Sequence, residues 1–573
     1  MARWGILSLA LVLASCSPGT PESATEHYDL VIRNGVVYDG SGSAPQHVDV
    51  AVRGDRIAAL LPPGQKADAT RTVDAKGLAV APGFINVLSW AVESLIEDGR
   101  GMSDTKQGVT LEIFGEGWSM GPYTDSMKAE ALKQQGDIHF PIEWTTLGEY
   151  LDYLAKRGVT PNVASFVGAT TVRIHELGEG DVTANAEQLA KMQDLVREAM
   201  REGALGVGAS LIYPPATFAN SAELTALAEA AAESGGGYIA HMRSEADRFL
   251  EALDENIAIS RATGQRAESY HLKAAGEKNW PKMAQAIAKI EAARAEGLPV
   301  SADMYAYTAG ATALTAGLPP WVQAGGQDAM IARLKDPAIR TRVIAEMKNP
   351  GTDWENIRLL TGSDERVLLI GFKSEKLKPL TGKTLAQIAQ MLGKSPEETL
   401  LDLIVEDDSG IGAAYFLMSE DNVELGLKQH WVSLGSDAES SAPEGVFLKS
   451  STHPRAYGNF ARFLGHYVRD RKLMPLEEGV HRLTGLPAQN WKLRDRGCLA
   501  PGCFADIAIF DPATISEHST YDKPQTYATG VRDVFVNGVQ VLENGEHTGA
   551  KPGRVVRGPG WKSADPAKSS AGS

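Results

Sequence analysis

The sequence runs to 573 residues, 43% hydrophobic and 22% charged, an ordinary globular balance with enough chain to bury a large core. Its 56 Lys and Arg against 72 Asp and Glu give a formal net charge of −16, and without a basic patch nucleic acid is not expected as a partner. The acidic excess speaks for solubility and names no binding surface.

At the start of the chain, Arg3 precedes an apolar run over 4–13, followed by Ala14-Ser15-Cys16. A basic start, a short apolar core and small residues make a secretory signal, too short to span a bilayer permanently. The segment Leu13-Ala14-Ser15-Cys16 resembles a bacterial lipobox. Residues 1–15 are therefore expected to be a signal peptide, and 16–27 a flexible linker anchored by lipid at Cys16. That anchor is the only membrane contact expected, and it places the mature chain on the periplasmic face of the envelope.

Residues 28–60 alternate apolar and polar side chains around Asn34-Gly35 and Gly54-Asp55, which reads as hairpin strands. The texture returns over 505–511 and 531–543, where Asn537-Gly538 marks another turn. The two segments, 28–80 plus 496–556, predict a small β-sandwich built from both ends of the chain. Cys498 and Cys503 flank a Leu-Ala-Pro-Gly turn; a disulfide across it and two free thiols both stay open. A tail over 557–573, rich in Ser, Ala and Lys beyond Trp561, is expected to be disordered.

Between these segments, 81–495 alternates short apolar runs with amphipathic helical stretches, the pattern of βα units. Eight strands are predicted at 83–88, 108–115, 162–168, 204–211, 238–241, 267–271, 300–305 and 430–434. Helical spacing of apolar residues marks 186–202, 221–234 and 282–296. The fold class predicted is α/β: a (β/α)8 TIM barrel with the terminal sandwich. A mostly helical insertion, about 309–429, lies between strands seven and eight over the barrel mouth, since that stretch is too long for a bare loop.

Active sites of such barrels lie at the C-terminal ends of the strands. The fifth predicted strand ends in His241, the sixth in His271, and the eighth leads into Gly435-Ser436-Asp437. A lone His at a strand end is more often a structural hydrogen-bonder, and an Asp after Gly-Ser is often a turn or helix cap. Two His and one Asp, each closing a different strand in a chain with only 12 His, is the arrangement of a metal-dependent hydrolase.

The stretches 238–245, 271–276, 304–310, 435–437 and 453–458 resemble motifs of the N-acyl-D-amino-acid deacylases, of the amidohydrolase superfamily. Residues 79–85 are similar to the superfamily's entry into strand one, 502–512 to its return to the sandwich, and the likeness spans about 28–556. There is one large departure. The family's first strand usually ends Asp-x-His-x-His, and here the place reads Asn86-Val87-Leu88-Ser89-Trp90. Its second strand supplies a Cys where this chain has Gly117. Leu and Trp offer zinc no lone pair, so a second metal site is not expected. One site remains, since catalytic zinc takes about three protein ligands and a water. His241 and His271 are two of them, Glu116 is the first choice for the third, and Glu112 is the second choice. One Zn²⁺ per chain is expected.

The resemblance implies hydrolysis of the amide bond of a small-molecule N-acyl amino acid, in the family an N-acyl-D-amino acid. Zinc would activate the water, and Asp437 would act as general base and then acid, with direct contact to the metal as the alternative for this residue. Arg455, Lys273 and Tyr305 match the positions that bind the substrate carboxylate, and the planar guanidinium of Arg455 suits that group. The Ser that often follows Thr-Ala-Gly in the family is Ala311 here, with Thr312 next; His453 is read as supporting the site. Tyr307 and Trp118 are candidates to shape an acyl pocket. Three alternatives stay open on the same centre: a dipeptidase, a cyclic-amide hydrolase and a lactonase. A catalytically inactive, lipid-anchored binding protein is a fourth.

Overall fold

The computed structural model describes residues 1, 26–349, 351 and 353–562. Leu13–Cys16, and with them the predicted signal and anchor, lie outside the described residues. Among the described residues no helix is long and apolar enough to cross a membrane.

The middle of the chain closes into a barrel. Its strands are Phe84–Asn86, Val109–Phe114, Asn162–Ser165 continued by Val167–Gly168, Gly206–Ser210, Gly237–His241, Ala267–Ser269, Val300–Met304 and Val432–Leu434. Every neighbouring pair is parallel. The eighth strand meets the first through Asp437 N–H to the Leu88 carbonyl at 2.9 Å and a bridge between Ser89 and Ala438. Ile85, Val87, Leu111, Ile113, Ala164 and Ile239 pack together, and Trp491 with Leu493 completes the same apolar cluster. All eight predicted strands form, each within a few residues of its expected span.

The helices obey their sequence signals. Ala186–Glu202 begins at Asn185, whose side chain accepts from Gln188 N–H in a capping box, a contribution of about 1 kcal/mol. It buries Met192, Val196, Ala199 and Met200, one face at helical spacing, and ends at Gly203 with φ +104°. Each such side chain taken out of water stabilises the layer by roughly 1–3 kcal/mol before entropy is counted.

The sandwich joins the two ends of the chain. Ala79–Pro82 pairs antiparallel with Ile507–Phe510, in a sheet that continues through Val531–Val536 and Val539–Glu543. The facing sheet is ordered Arg56–Leu61, Asp49–Arg53, His27–Arg33, Asp68–Asp74. Leu30, Ile32, Val50, Val52 and Ile57 meet Ile507, Ile509 and Phe535 between the sheets. Cys498 and Cys503 form a disulfide, which resolves the choice the sequence left open.

Two details go beyond the sequence expectations. The insertion is helical in large part, but it also holds a three-stranded antiparallel sheet of Ala309–Ala313, Gly412–Phe416 and Val367–Gly371. Two of those strands are rich in Ala and Gly, without the β-branched alternation that announces a strand. The first residues of the predicted tail are held against the barrel: Arg557 donates to the Glu202 carbonyl and Gly558 N–H to that of Gly203. Residues 563–573 lie outside the described residues.

Candidate active site

The predicted residues gather at the C-terminal ends of the strands. His241 closes the fifth strand, His271 follows the sixth by two residues, and Glu116 follows the second by two. Glu116 Oε1 stands 2.9 Å from His271 Nε2 and 3.1 Å from His241 Nδ1, with all three side chains about 5% exposed or less. The three ligand atoms lie within 4.8 Å of one another. Ligands about 2.0–2.1 Å from a tetrahedral zinc stand roughly 3.3 Å apart. Two nitrogens and one carboxylate oxygen, converging at nearly that spacing, fit such an ion. Burial alone would raise the Glu116 pKa; the charges and hydrogen bonds of His271 and His241 outweigh it and hold the carboxyl well below its ordinary value.

A residue without an assigned role in the sequence reading supports both imidazoles. Glu245 Oε1 is 3.1 Å from His271 Nδ1, and its Oε2 is 3.6 Å from His241 Nε2. A carboxylate on the outer nitrogen of a ligating His fixes tautomer and ring orientation and leaves the inner nitrogen for metal. Lys273 Nζ holds this carboxylate at 2.6 Å and also lies 2.8 Å from His271 Nδ1 and 3.2 Å from the His271 carbonyl. Because the His271 Nδ1–H is given to Glu245, that nitrogen accepts nothing from Lys273, whose ammonium donates to Glu245 and to the His271 carbonyl and has a third N–H uncommitted.

Trp90 is the second such residue. Its indole N–H reaches Glu116 Oε2 at 3.0 Å and Asp437 Oδ1 at 3.2 Å. One donor therefore ties the third metal-ligand candidate to the predicted base. Gly117, in the place of the family's Cys, has φ +74°, and a Cβ there would run into the Ser210 side chain.

Asp437 Oδ2 pairs with Arg455 NH1 at 2.9 Å. Burial, added to by Glu116 and opposed chiefly by Arg455, raises the Asp437 pKa above the usual carboxylate value, the direction a general base near neutral pH requires. Asp437 at φ +52° and His271 at φ +33° both occupy the left-handed region, which residues other than glycine seldom adopt and which clusters at functional sites. Arg455 NH2 donates to the Ala311 carbonyl, while its buried Nε–H has no partner among the described residues. His453 accepts from Arg455 N–H at 3.0 Å and contacts the Ala309 carbonyl; burial first, and then Arg455, push its pKa well below the ordinary value, which keeps it neutral. The Tyr305 ring lies under the Arg455 guanidinium, 4.6 Å away.

Glu116, His241, His271, Asp437, Arg455, Tyr305, Trp90 and Trp118 line one cavity of about 510 Å³, roofed by Thr312, Ile370 and Tyr415 of the insertion. Two weaker candidates lie away from the triad. Glu112 lies with Asn86 and Asp104, to which it is linked through the Asn86 amide at 3.0 Å, and does not join the triad. Tyr307 packs edge-on against His453 and is not among the residues lining the cavity, whereas Trp118 lines it.

Comparison with known proteins agrees with this geometry. The sequence pattern of the amidohydrolase family matches residues 71–542, and the chain belongs to that family. It is 32% identical to the D-aminoacylase of Alcaligenes xylosoxydans xylosoxydans, over 93% of this chain and 99% of that protein. A solved D-aminoacylase structure, at 30% identity and TM-score 0.77, covers 92% of this chain and 100% of its own; that protein has a binuclear metal centre with one-metal activation and second-metal attenuation. The N-acyl-D-glutamate deacylase from Bordetella bronchiseptica, complexed with zinc and a phosphonate mimic of the tetrahedral intermediate, matches at 30% identity and TM-score 0.77 over 93% and 100%. The chain is thus an amidohydrolase acting on carbon–nitrogen bonds other than peptide bonds, of the D-aminoacylase type.

Proposed function

We propose that the protein hydrolyses the amide bond of N-acyl-D-amino acids with one zinc ion held by Glu116, His241 and His271. The observation that carries this reading is the convergence of those three side chains, with Asp437 beside them, in one buried cavity. Bound there, zinc supplies Lewis-acid polarisation and makes water acidic enough to react near neutral pH. Asp437 takes the proton of the attacking water and passes it to the leaving amine, which leaves poorly without one. Glu245 and Lys273 hold the two imidazoles in register. The free Nε–H of Arg455, over the Tyr305 ring, is the donor offered to the substrate carboxylate. The loss of the strand-one His-x-His, with Trp90 hydrogen-bonded to Glu116 and Asp437, supports one ion over two.

Release of free amino acid from matched N-acetyl-D- and N-acetyl-L-amino acids tests the activity. The expected result is turnover with the D series preferred; no release from either series by zinc-loaded protein contradicts it. The lipobox at Leu13–Cys16 supports a periplasmic lipoprotein, and the Cys498–Cys503 disulfide suits an oxidising compartment. Labelling with a radioactive fatty acid, abolished by Cys16→Ala, is the expected outcome; label retained in that variant refutes the anchor.

A further inference from the structure

Asn86 ends the first barrel strand and stands opposite Glu112 of the second, fully buried. Its amide nitrogen is 3.0 Å from Glu112 Oε2 and 3.0 Å from Asp104 Oδ2. Both carboxyls are buried, and no Lys or Arg pairs with either among the described residues. Burial first, and then the charge of Glu112, hold the Asp104 carboxyl well above its ordinary value, and burial raises Glu112 as well. Two carboxyls in contact in such a place share a proton, so the pair carries one negative charge, and Asn86 donates to it. The same amide holds Ser436. The Ser436 N–H donates to Asn86 Oδ1 at 2.8 Å, and Asn86 Nδ2 lies 2.8 Å from Ser436 Oγ. Ser436 is the residue before Asp437, which sits at φ +52°. On either side, the Gly435 carbonyl accepts from the Asn459 amide and the Asp437 N–H donates to the Leu88 carbonyl, both at 2.9 Å.

We propose that Asn86 is a positioning residue for the base: anchored on the Asp104–Glu112 pair, its amide grips Ser436 at both the backbone N–H and the hydroxyl and so sets the direction of the Asp437 carboxylate. This rests on the hydrolase reading above, in which Asp437 takes and returns the proton. A residue other than glycine stays at positive φ only where its surroundings over-determine it, and the two bonds to Ser436 supply that constraint from the side of strand one. The chemistry calls for an amide. It offers an acceptor to the Ser436 N–H and donors to the Ser436 hydroxyl and the carboxyl pair at once, which a carboxylate cannot do. Asn86 stands where the first strand of the family usually has Asp. An Asp here would turn an acceptor-only oxygen on two carboxyls, and their repulsion would loosen the grip on Ser436.

The test uses the zinc-loaded full chain and an N-acetyl-D-amino acid that the parent hydrolyses. Asn86→Asp should lower kcat about tenfold or more, with KM within about threefold of the parent and zinc content unchanged. Adding Glu112→Gln to it places a donor opposite the new carboxylate and should restore most of the lost kcat. Asn86→Ala, which adds no charge, should lose kcat as well, and Glu112→Gln should not restore it. A second readout needs no turnover. The Trp90 indole N–H reaches Asp437 Oδ1, so its magnetic resonance signal in protein carrying isotope-labelled tryptophan, assigned by its absence in Trp90→Phe, reports where that carboxylate stands. The signal should move in Asn86→Asp and Asn86→Ala and return in the Asn86→Asp, Glu112→Gln pair. A signal unmoved in both single variants, a kcat unchanged in both, or a paired variant no better than Asn86→Asp overturns the assignment. If the parent hydrolyses nothing, the signal alone decides. A shift reversed in the paired variant keeps Asn86 as the residue that directs Asp437 while the hydrolase reading falls, and an unmoved signal overturns the assignment.

Discussion

One indole N–H shared between Glu116 and Asp437 ties two facing carboxylates to a single donor. Trp90→Phe keeps the ring and deletes the donor. It should lower kcat by roughly tenfold to a hundredfold, since a hydrogen bond to a charged group contributes about 1.5–3 kcal/mol, with KM changed far less. Equal loss in kcat and KM, or none, would remove Trp90 from the positioning of Asp437. Asp437→Asn should retain zinc and lose about 10²–10⁴ in kcat, the usual share of a general acid–base; steady-state rates alongside metal content check both halves. Glu116, His241, His271 and Asp437 were legible in the sequence because each follows a strand end, where a barrel puts its chemistry. Glu245 and the second role of Trp90 were not, since their contacts cross between strands remote in the chain and depend on ring orientation. The Lys273–Glu245 contact was hidden for the same reason, since nothing in the sequence around Lys273 announces it.

At the scale of elements, the insertion is latched to the barrel by Glu355, which accepts from the N–H groups of Glu245 and Ala246 at 3.1 and 2.9 Å and from the Ser244 hydroxyl. Burial first, opposed by these donors and reinforced by the charge of Glu245, raises its pKa from 4.5 to about 7. The sign follows directly. The unfolded chain ionises this carboxyl above its ordinary value while the folded chain keeps it protonated to about 7, so its favourable contribution is full in acid and declines as pH rises through that window. Glu355→Gln removes the titration. Its Tm relative to the parent should therefore climb by roughly 1–3 °C between pH 5 and pH 7.5; a pH-independent difference would contradict the latch. The barrel strands and the helices could be read from periodicity, because each carries its apolar residues at the right spacing. The insertion's sheet could not, because Ala309–Ala313 and Gly412–Phe416 have too few β-branched side chains to show a period of two.

Over the whole molecule, two segments remote in sequence, 27–82 and 507–547, share one sandwich, and the segment after it runs back along the barrel, where Arg554 and Val556 pair with the backbone of Val163. The Cys498–Cys503 disulfide closes a loop only five residues apart in sequence, so chain entropy assigns it about 2 kcal/mol. Replacing both Cys by Ser should lower Tm by a few degrees and leave zinc content unchanged; loss of zinc would show the sandwich and the site to be coupled. That both ends would form one unit was visible in their matching hairpin texture, whereas the disulfide was decided only by the fold. The account as a whole depends on a single metal centre shared by one carboxylate and two imidazoles drawn from three strands. Metal analysis of the purified protein, with His241→Ala and His271→Ala in parallel, tests it most directly. About one zinc per chain in the parent, lost in each variant, is the predicted result, and two tightly held ions, or an ion that survives either substitution, would contradict it.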